Sequence, residues 1–338
     1  MVNMIPASVE DAGIFLCLRA KMGRGSVLLL LILSGQLLFA APPDSVSVVF
    51  WNLENFFDYR DGGGGDSDSE FSPRGTRHWT QKRFYAKCRL IAKALLWIGD
   101  QAGGMPDVIA FAEVENDFVL RRLIQATALK KMDYRRVHYD SPDPRGIDVA
   151  LLYRKDRWEM LSAGPCRVGD SLTFRTRDIL HVRLARREGK GEPLDVLVNH
   201  HPSKYGGASM SEERRKAALE RLRFIADSLM AEGQDRIIAI GDFNDTPDQP
   251  LFGLLSPSLA LVPAPIDGTI RYEGRWEWID LAFVSPALLP KSRLEKVEVP
   301  FLMTRDSSHP GDKPLRTYSG PRYIGGVSDH CPIRLVVQ

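Results

Sequence analysis

Acids, amides and imidazoles recur in this chain just beyond short apolar runs. Asn52 follows Ser45–Trp51, Glu113 follows Asp107–Ala112, His200 follows Leu194–Val198, and Asp242 with Asn244 follows Arg236–Ile240. Asp280 interrupts the apolar stretch Trp276–Val284, and Asp329 with His330 precedes Ile333–Val337. Each alone has an ordinary explanation. A single Glu after a strand is a solvated loop end, and Asp-Phe-Asn is an Asx-turn. Asp280 resists that reading, because a carboxylate within an apolar strand needs a partner, and His330 is available. Carboxylates, amides and imidazoles without a cysteine cluster suit acid–base chemistry around a hard divalent ion, Mg2+ or Mn2+ rather than zinc. Their recurrence at so many strand ends separates a site from a set of turns.

These groups need a scaffold that gathers strand ends. The apolar runs read as strands by length and β-branching, as do Tyr134–Tyr139, Ile147–Tyr153 and Ile179–Arg186. Helices alternate with them. One opens at Thr80, where Phe84, Cys88, Ile91, Leu95 and Ile98 form a core-facing stripe. A second spans Asp117–Lys130, a third carries Ala218, Leu222, Ile225 and Leu229, and a short one covers Gln249–Leu255. No repeat or linker divides the chain, so residues 42–338 form one α/β domain. The loop Asp58–Arg77, with glycines at 62–65, is mobile by composition.

The motifs carry a resemblance. Trp-Asn-Leu-Glu-Asn (51–55), Ala-Glu-Val-Glu-Asn (112–116), Asn-His-His-Pro-Ser-Lys (199–204), Gly-Asp-Phe-Asn-Asp (241–245), Trp-Ile-Asp-Leu-Ala-Phe-Val-Ser (278–285) and Ser-Asp-His-Cys-Pro (328–332) resemble the ordered motifs of the endonuclease/exonuclease/phosphatase superfamily. That group includes pancreatic deoxyribonuclease, abasic-site endonucleases, inositol polyphosphate 5-phosphatases and bacterial sphingomyelinases. The resemblance implies a four-layer sandwich of two mostly antiparallel mixed β-sheets flanked by helices, with the site at one end. It implies Glu113 as the main ligand of a divalent ion, with Asn52 and Asp329 adjacent, directly or through water. Asp242 and Asn244 then flank the attacking water, His200 and His330 donate to phosphoryl oxygens, and Asp280 holds the His330 ring. Either Asp242 or His330 is the base. His201 stands where relatives often have Trp, as a further phosphate donor or a packed aromatic. Tyr139 and Arg145 are the candidates for a mid-chain phosphate-binding pair, and Asp148 orients a neighbour or caps a strand.

The implied activity is metal-dependent hydrolysis of a phosphodiester, nuclease-like, with DNA or RNA among the substrates. The alternative is a phosphatase or phospholipase-C/sphingomyelinase-like enzyme acting on a phosphorylated lipid or sugar. A silent binding module would have little use for so many charged strand ends. The 45 basic and 43 acidic residues nearly cancel, so any attraction to a polyanion is local. Arg74, Arg77, Lys82 and Arg83, around Trp79, come nearest to a nucleic-acid patch.

Residues 1–41 read as a secretory leader. Lys21 and Arg24 precede the apolar run Ser26–Phe39, which is short of the roughly 20 residues that span a bilayer, and Ala40–Ala41 offer a cleavage site. Met22 sits well for the true start. The expected product is a periplasmic or secreted monomer without stable membrane insertion. Cys88, Cys166 and Cys331 then remain, too few and too scattered for a disulfide framework.

Overall fold

Alternating buried residues on both faces define the first strand, β1 (Val46–Phe56), in the computed structural model. It describes residues 45–62, 65–169, 174–188, 191–204 and 208–338. The leader lies outside them. Val46, Val48 and Phe50 point into one apolar core, and Val49, Trp51 and Leu53 into another. A strand buried on both faces reads as a near-continuous apolar run, the pattern that marked it in the sequence.

Thr80 caps α1 (Gln81–Gln101) by accepting from the Arg83 amide, and the expected stripe of that helix is buried. Next come β2 (Val108–Val114), α2 (Asp117–Gln125), β3 (Tyr134–His138) and β4 (Asp148–Arg154). Asn116 caps α2, and a separate 3-10 turn, Ala128–Lys131, follows it where one longer helix was expected. β5 (Trp158–Cys166) was not anticipated: Met160 and Leu161 are exposed, and Gly164 and Pro165 break the pattern, as an edge position allows. β6 (Ile179–Arg186), β7 (Leu194–His200), α3 (Ala208–Ala231) and β8 (Ile237–Asp242) complete the middle of the chain. β9 (Ala260–Leu261), β10 (Asp280–Val284), β11 (Ser292–Lys296) and β12 (Ile333–Val337) follow. The stretch Trp276–Val284 is two strands rather than one, since Arg275–Glu277 pairs in a hairpin with Ile270–Tyr272.

Two six-stranded sheets result, ordered β11-β12-β1-β2-β4-β3 and β5-β6-β7-β8-β10-β9. β1–β2 and β7–β8 are parallel and the other neighbours antiparallel. One apolar cluster fills the space between the sheets, α1 and α2 cover the first, and α3 covers the second. This is the expected four-layer sandwich.

Register places the site. His200 lies opposite Asp242, and Asp242 opposite Asp280, so three strands of the second sheet end in a row. Their parity follows Val198, Ile240 and Ala282, whose side chains fill the inter-sheet core. On the first sheet Asn52 continues the parity of Phe50, so it faces the same gap. Glu113 by parity would turn toward the helices. A register shift between Ala112 and Val114 and a left-handed backbone at Glu113, φ 60°, turn it back.

The loop after β1 is held more firmly than its composition predicts. Phe71 stacks on Phe57 with centroids 4.7 Å apart, and the Trp79 indole donates to the Phe57 carbonyl. Among the described residues no helix is long and apolar enough to cross a membrane. Cys88, Cys166 and Cys331 are free.

Candidate active site

The sandwich brings two sets of side chains to one end. From the second sheet and the closing segment comes a chain of titrating groups. The His330 Nδ1 is 2.8 Å from Asp280 Oδ2, and its Nε2 is 3.9 Å from Asp242 Oδ2. Asp242 accepts from the Asn244 amide on one oxygen and from the Asn52 side chain, at 3.0 Å, on the other. The His200 Nε2 lies 3.7 Å from Asp242 and 4.0 Å from Glu113. The acid in the apolar strand has the partner that the sequence required.

The other set is rich in oxygen. Asn52, Glu54, Glu113 and Asp329 come from β1, its bulge, the end of β2 and the closing segment. Glu113 accepts from the Asn55 amide at 2.7 Å, and Arg316 bridges Glu54, at 2.8 Å, and Asp329, at 3.1 Å. Beneath them Lys87 of α1 is buried, with its Nζ 2.6 Å from the Glu54 carbonyl and 2.9 Å from the Thr317 hydroxyl. Glu54, Asn55, Glu113 and Asn244 all have positive φ. For a long side chain this backbone is strained, and such strain concentrates at functional sites.

Burial governs the electrostatics. It raises the Asp242 carboxyl to about 7, with repulsion from Asp280 adding to the effect. Burial pulls the His330 ring down, but the charge and hydrogen bond of Asp280, with Asp242 and Asp329, outweigh it and hold the ring well above its ordinary value. At neutral pH His330 is therefore an imidazolium. His200 goes the other way: burial, then Arg177 and Arg145, hold it well below the usual range and keep it neutral. Burial and the Asp329 charge raise Glu54 to about 7 against the pull of Arg316 and Lys87.

Ligand atoms of Asp242, Asp280 and His330 lie within 4.8 Å of one another, as do those of His138, Asp140 and Asp148. In the first group both Asp242 oxygens already accept hydrogen bonds and His330 Nδ1 is engaged, so its geometry favours proton handling over metal binding. The all-oxygen set Asn52, Glu54, Glu113 and Asp329 fits a hard divalent ion better. Three carboxyls lie there with Arg316, Lys87 and, 3.9 Å from Glu113, Arg145 to balance them, though among the described residues their ligand atoms are not gathered as closely as in those two groups.

Arg145 reaches the site, its guanidinium 3.9 Å from Glu113 and partly exposed. Tyr139 does not: its hydroxyl donates to the Ala163 carbonyl. His201 is packed rather than presented to phosphate. It is 2% exposed, with its ring 4.6 Å from that of Phe243. Asp148 bonds His138 at 3.1 Å and accepts from the Ser141 amide, neither of which belongs to the site. Of the four basic residues near Trp79, two hold structure. Arg77 pairs with Glu70, and Arg83 donates to the carbonyls of Arg77 and His78 over the Tyr323 ring.

Several residues of the site escaped the sequence reading. Arg177 is buried and donates to the carbonyls of both His200 and His201 while pairing with Asp143 at 2.9 Å. Arg316 lies in an irregular segment with no local signal. Lys87 did leave one: it is three residues past Phe84 and four before Ile91, on the core face of its helix.

The family model for the endonuclease/exonuclease/phosphatase family matches residues 47–338. The chain belongs to that family. No curated protein matches it. Solved structures share its fold at low identity. A family member from Bacteroides thetaiotaomicron is 16% identical with a TM-score of 0.54, covering 88% of this chain and 98% of that one. The human Nocturnin catalytic domain with bound sulfate is 16% identical, TM-score 0.53, covering 87% and 94%. A mannosyl-6-phosphatase from Bacteroides thetaiotaomicron is 16% identical, TM-score 0.52, covering 87% and 99%. Members of the family are phosphoric ester hydrolases, and the ordered motifs of this chain are the ones its fold gathers at the end of the sandwich.

Proposed function

We propose that this protein is a divalent-metal-dependent phosphodiester hydrolase of nuclease type. The observation that carries the reading is the Asp280–His330–Asp242 chain facing an oxygen-rich cluster across the gap between the sheets. Asn52, Glu54, Glu113 and Asp329 would hold Mg2+ or Mn2+, which when bound neutralises phosphoryl charge and makes phosphorus a better electrophile.

The chain's own residues supply the rest. The His330 imidazolium and the neutral His200 N–H donate to non-bridging phosphoryl oxygens, and Arg145 adds positive charge beside Glu113. Asp242, raised to about 7, is suited to take a proton from water near neutrality, with Asn244 anchoring its carboxylate. Water oxygen forms the new bond to phosphorus, the ester oxygen leaves with a proton, and a phosphomonoester and an alcohol result. In this reading Asp242 is the base and His330 the cationic donor, because Asp280 keeps His330 protonated. The leader-like N-terminus supports secretion.

The test is hydrolysis of bis(p-nitrophenyl) phosphate against p-nitrophenyl phosphate. Mg2+ or Mn2+ should be required, EDTA should abolish turnover, and His330→Ala should lose on the order of a hundredfold. Metal-independent turnover, or turnover of the monoester alone, would overturn the reading.

A further inference from the structure

Two of the four cations around Trp79 are engaged, and a second basic surface adjoins the site, gathered from segments far apart in sequence. Two cavities form it. One, of about 380 Å³, is bordered by Arg145, Arg175 and Arg214. The next, of about 600 Å³, is bordered by Lys204, Arg215 and Lys216, and Ser211 lines both. Arg145 joins the first to the site through its approach to Glu113.

Charge in the first cavity is poorly compensated. Among the described residues neither Arg175 nor Arg214 has an acidic partner: Arg175 donates to the Pro142 carbonyl, and Arg214 lies over the Phe174 ring at 5.6 Å. The acids present are largely taken. Asp143 pairs with the buried Arg177, Asp245 with Arg215 and Lys204, and Glu220 with Lys216 at 3.8 Å, while the exposed Glu212 also lines the second cavity. Arg215 is only 6% exposed and bonds Asp245 through Nε, and its buried Nη1 has no partner among the described residues.

We propose that this trough binds the backbone of a nucleic-acid strand on one side of the scissile phosphate. The inference rests on the diesterase reading of the site. A single phosphate would be met by Arg145 and the imidazoles. Arg175 and Arg214, which have no acidic partner among the described residues, would be met by further phosphates of a longer substrate, with Lys204 and Lys216 adding positive charge beyond them. Phe174, beside Arg214, gives the trough an aromatic element of the kind that accompanies single strands.

Binding is measured in EDTA, without turnover, by the fluorescence anisotropy of a labelled single-stranded DNA of about fifteen nucleotides. The triple variant Arg175→Ala, Arg214→Ala, Lys216→Ala should bind at least about tenfold more weakly, and its slope of log affinity against log salt should be shallower by about 2, near 0.7 for each lost phosphate contact. Its loss on a DNA strand should exceed its loss on bis(p-nitrophenyl) phosphate by about tenfold or more. Circular dichroism checks the fold, and Arg175→Glu with Lys216→Glu, a charge reversal at exposed sites, repeats the test with other side chains. Unchanged affinity and salt slope, or no binding by the wild-type protein, overturns the proposal, as does equal displacement of the strand by glucose 6-phosphate. Absence of metal-dependent diester hydrolysis would instead refute the catalytic reading, and the binding result would stand apart from it.

Discussion

His200 and His201 are adjacent imidazoles with different work. His200 faces Asp242 and Glu113, whereas His201 is sealed against Phe243. Burial, with Arg177 and Arg215 nearby, pulls His201 down to about 3. It is neutral when folded and titrates near 6.5 when unfolded, so the unfolded chain takes up the proton first. The stability this group supports is present above about 6.5 and is lost as pH falls toward 3. His201→Phe keeps the aromatic contact and removes the proton acceptor; urea titrations should show a flatter stability curve between about pH 6 and 4 than for the wild type. Asp280 and His330 should behave as one unit. Alanine at either should lower the rate by on the order of a hundredfold, and the double variant should be little worse than the poorer single one. Multiplied losses in steady-state rates would refute the pairing. Asp280 was legible because an acid in an apolar strand demands a partner, and His330 was among the few candidates. The packing of His201 was not, since its two roles differ only in which way the ring points.

At the scale of elements, strand ends were readable and bulges were not. An apolar run followed by an acid announces a strand and its cargo. The turn that re-aims Glu113 depends on which residue of β4 lies opposite, and pairing is invisible in one strand's sequence. Likewise β5 was missed because an edge strand needs no alternating burial. The bulge at Glu54 has a support of its own in Lys87, which ties the carbonyl of that strained residue to Thr317. Lys87→Met should leave the fold in place but loosen the bulge. The Mg2+ concentration giving half-maximal activity should rise by about tenfold, and kcat at saturating metal should fall far less; an unchanged metal requirement would show that the lysine is only a core residue. Such a lysine could have been read from helical periodicity, given the neighbouring stripe, whereas Arg316 could not.

For the molecule as a whole, the sheet pairing divides the chemistry. The first sheet presents Asn52, Glu54 and Glu113, and the second His200, Asp242 and Asp280. Between them lies an apolar core as tightly packed as an organic crystal, which transmits displacement rather than absorbing it. Ile240 is in that core, two residues before Asp242 and on the same face. Ile240→Val should lower stability by about 0.5–1.5 kcal/mol. Its rate, measured well below the melting temperature, should fall further than the small unfolded fraction explains, because misplacement by about 1 Å can lower a rate by on the order of a hundredfold.

Asp329 and His330 give this division a sharper consequence. They share a peptide bond, yet Asp329 pairs with Arg316 on the first bank and His330 with Asp280 on the other. The segment is fastened on both sides, the Ser328 hydroxyl to the Asn52 carbonyl and the Cys331 amide to the Thr269 carbonyl. It pins the two sheets together at the site. If either sheet shifts, the pin carries the disturbance to the other, so the cation side and the proton side lose alignment together. On the proposed reading there is no half-active state to pass through, and heat or denaturant should extinguish metal binding and turnover in a single step.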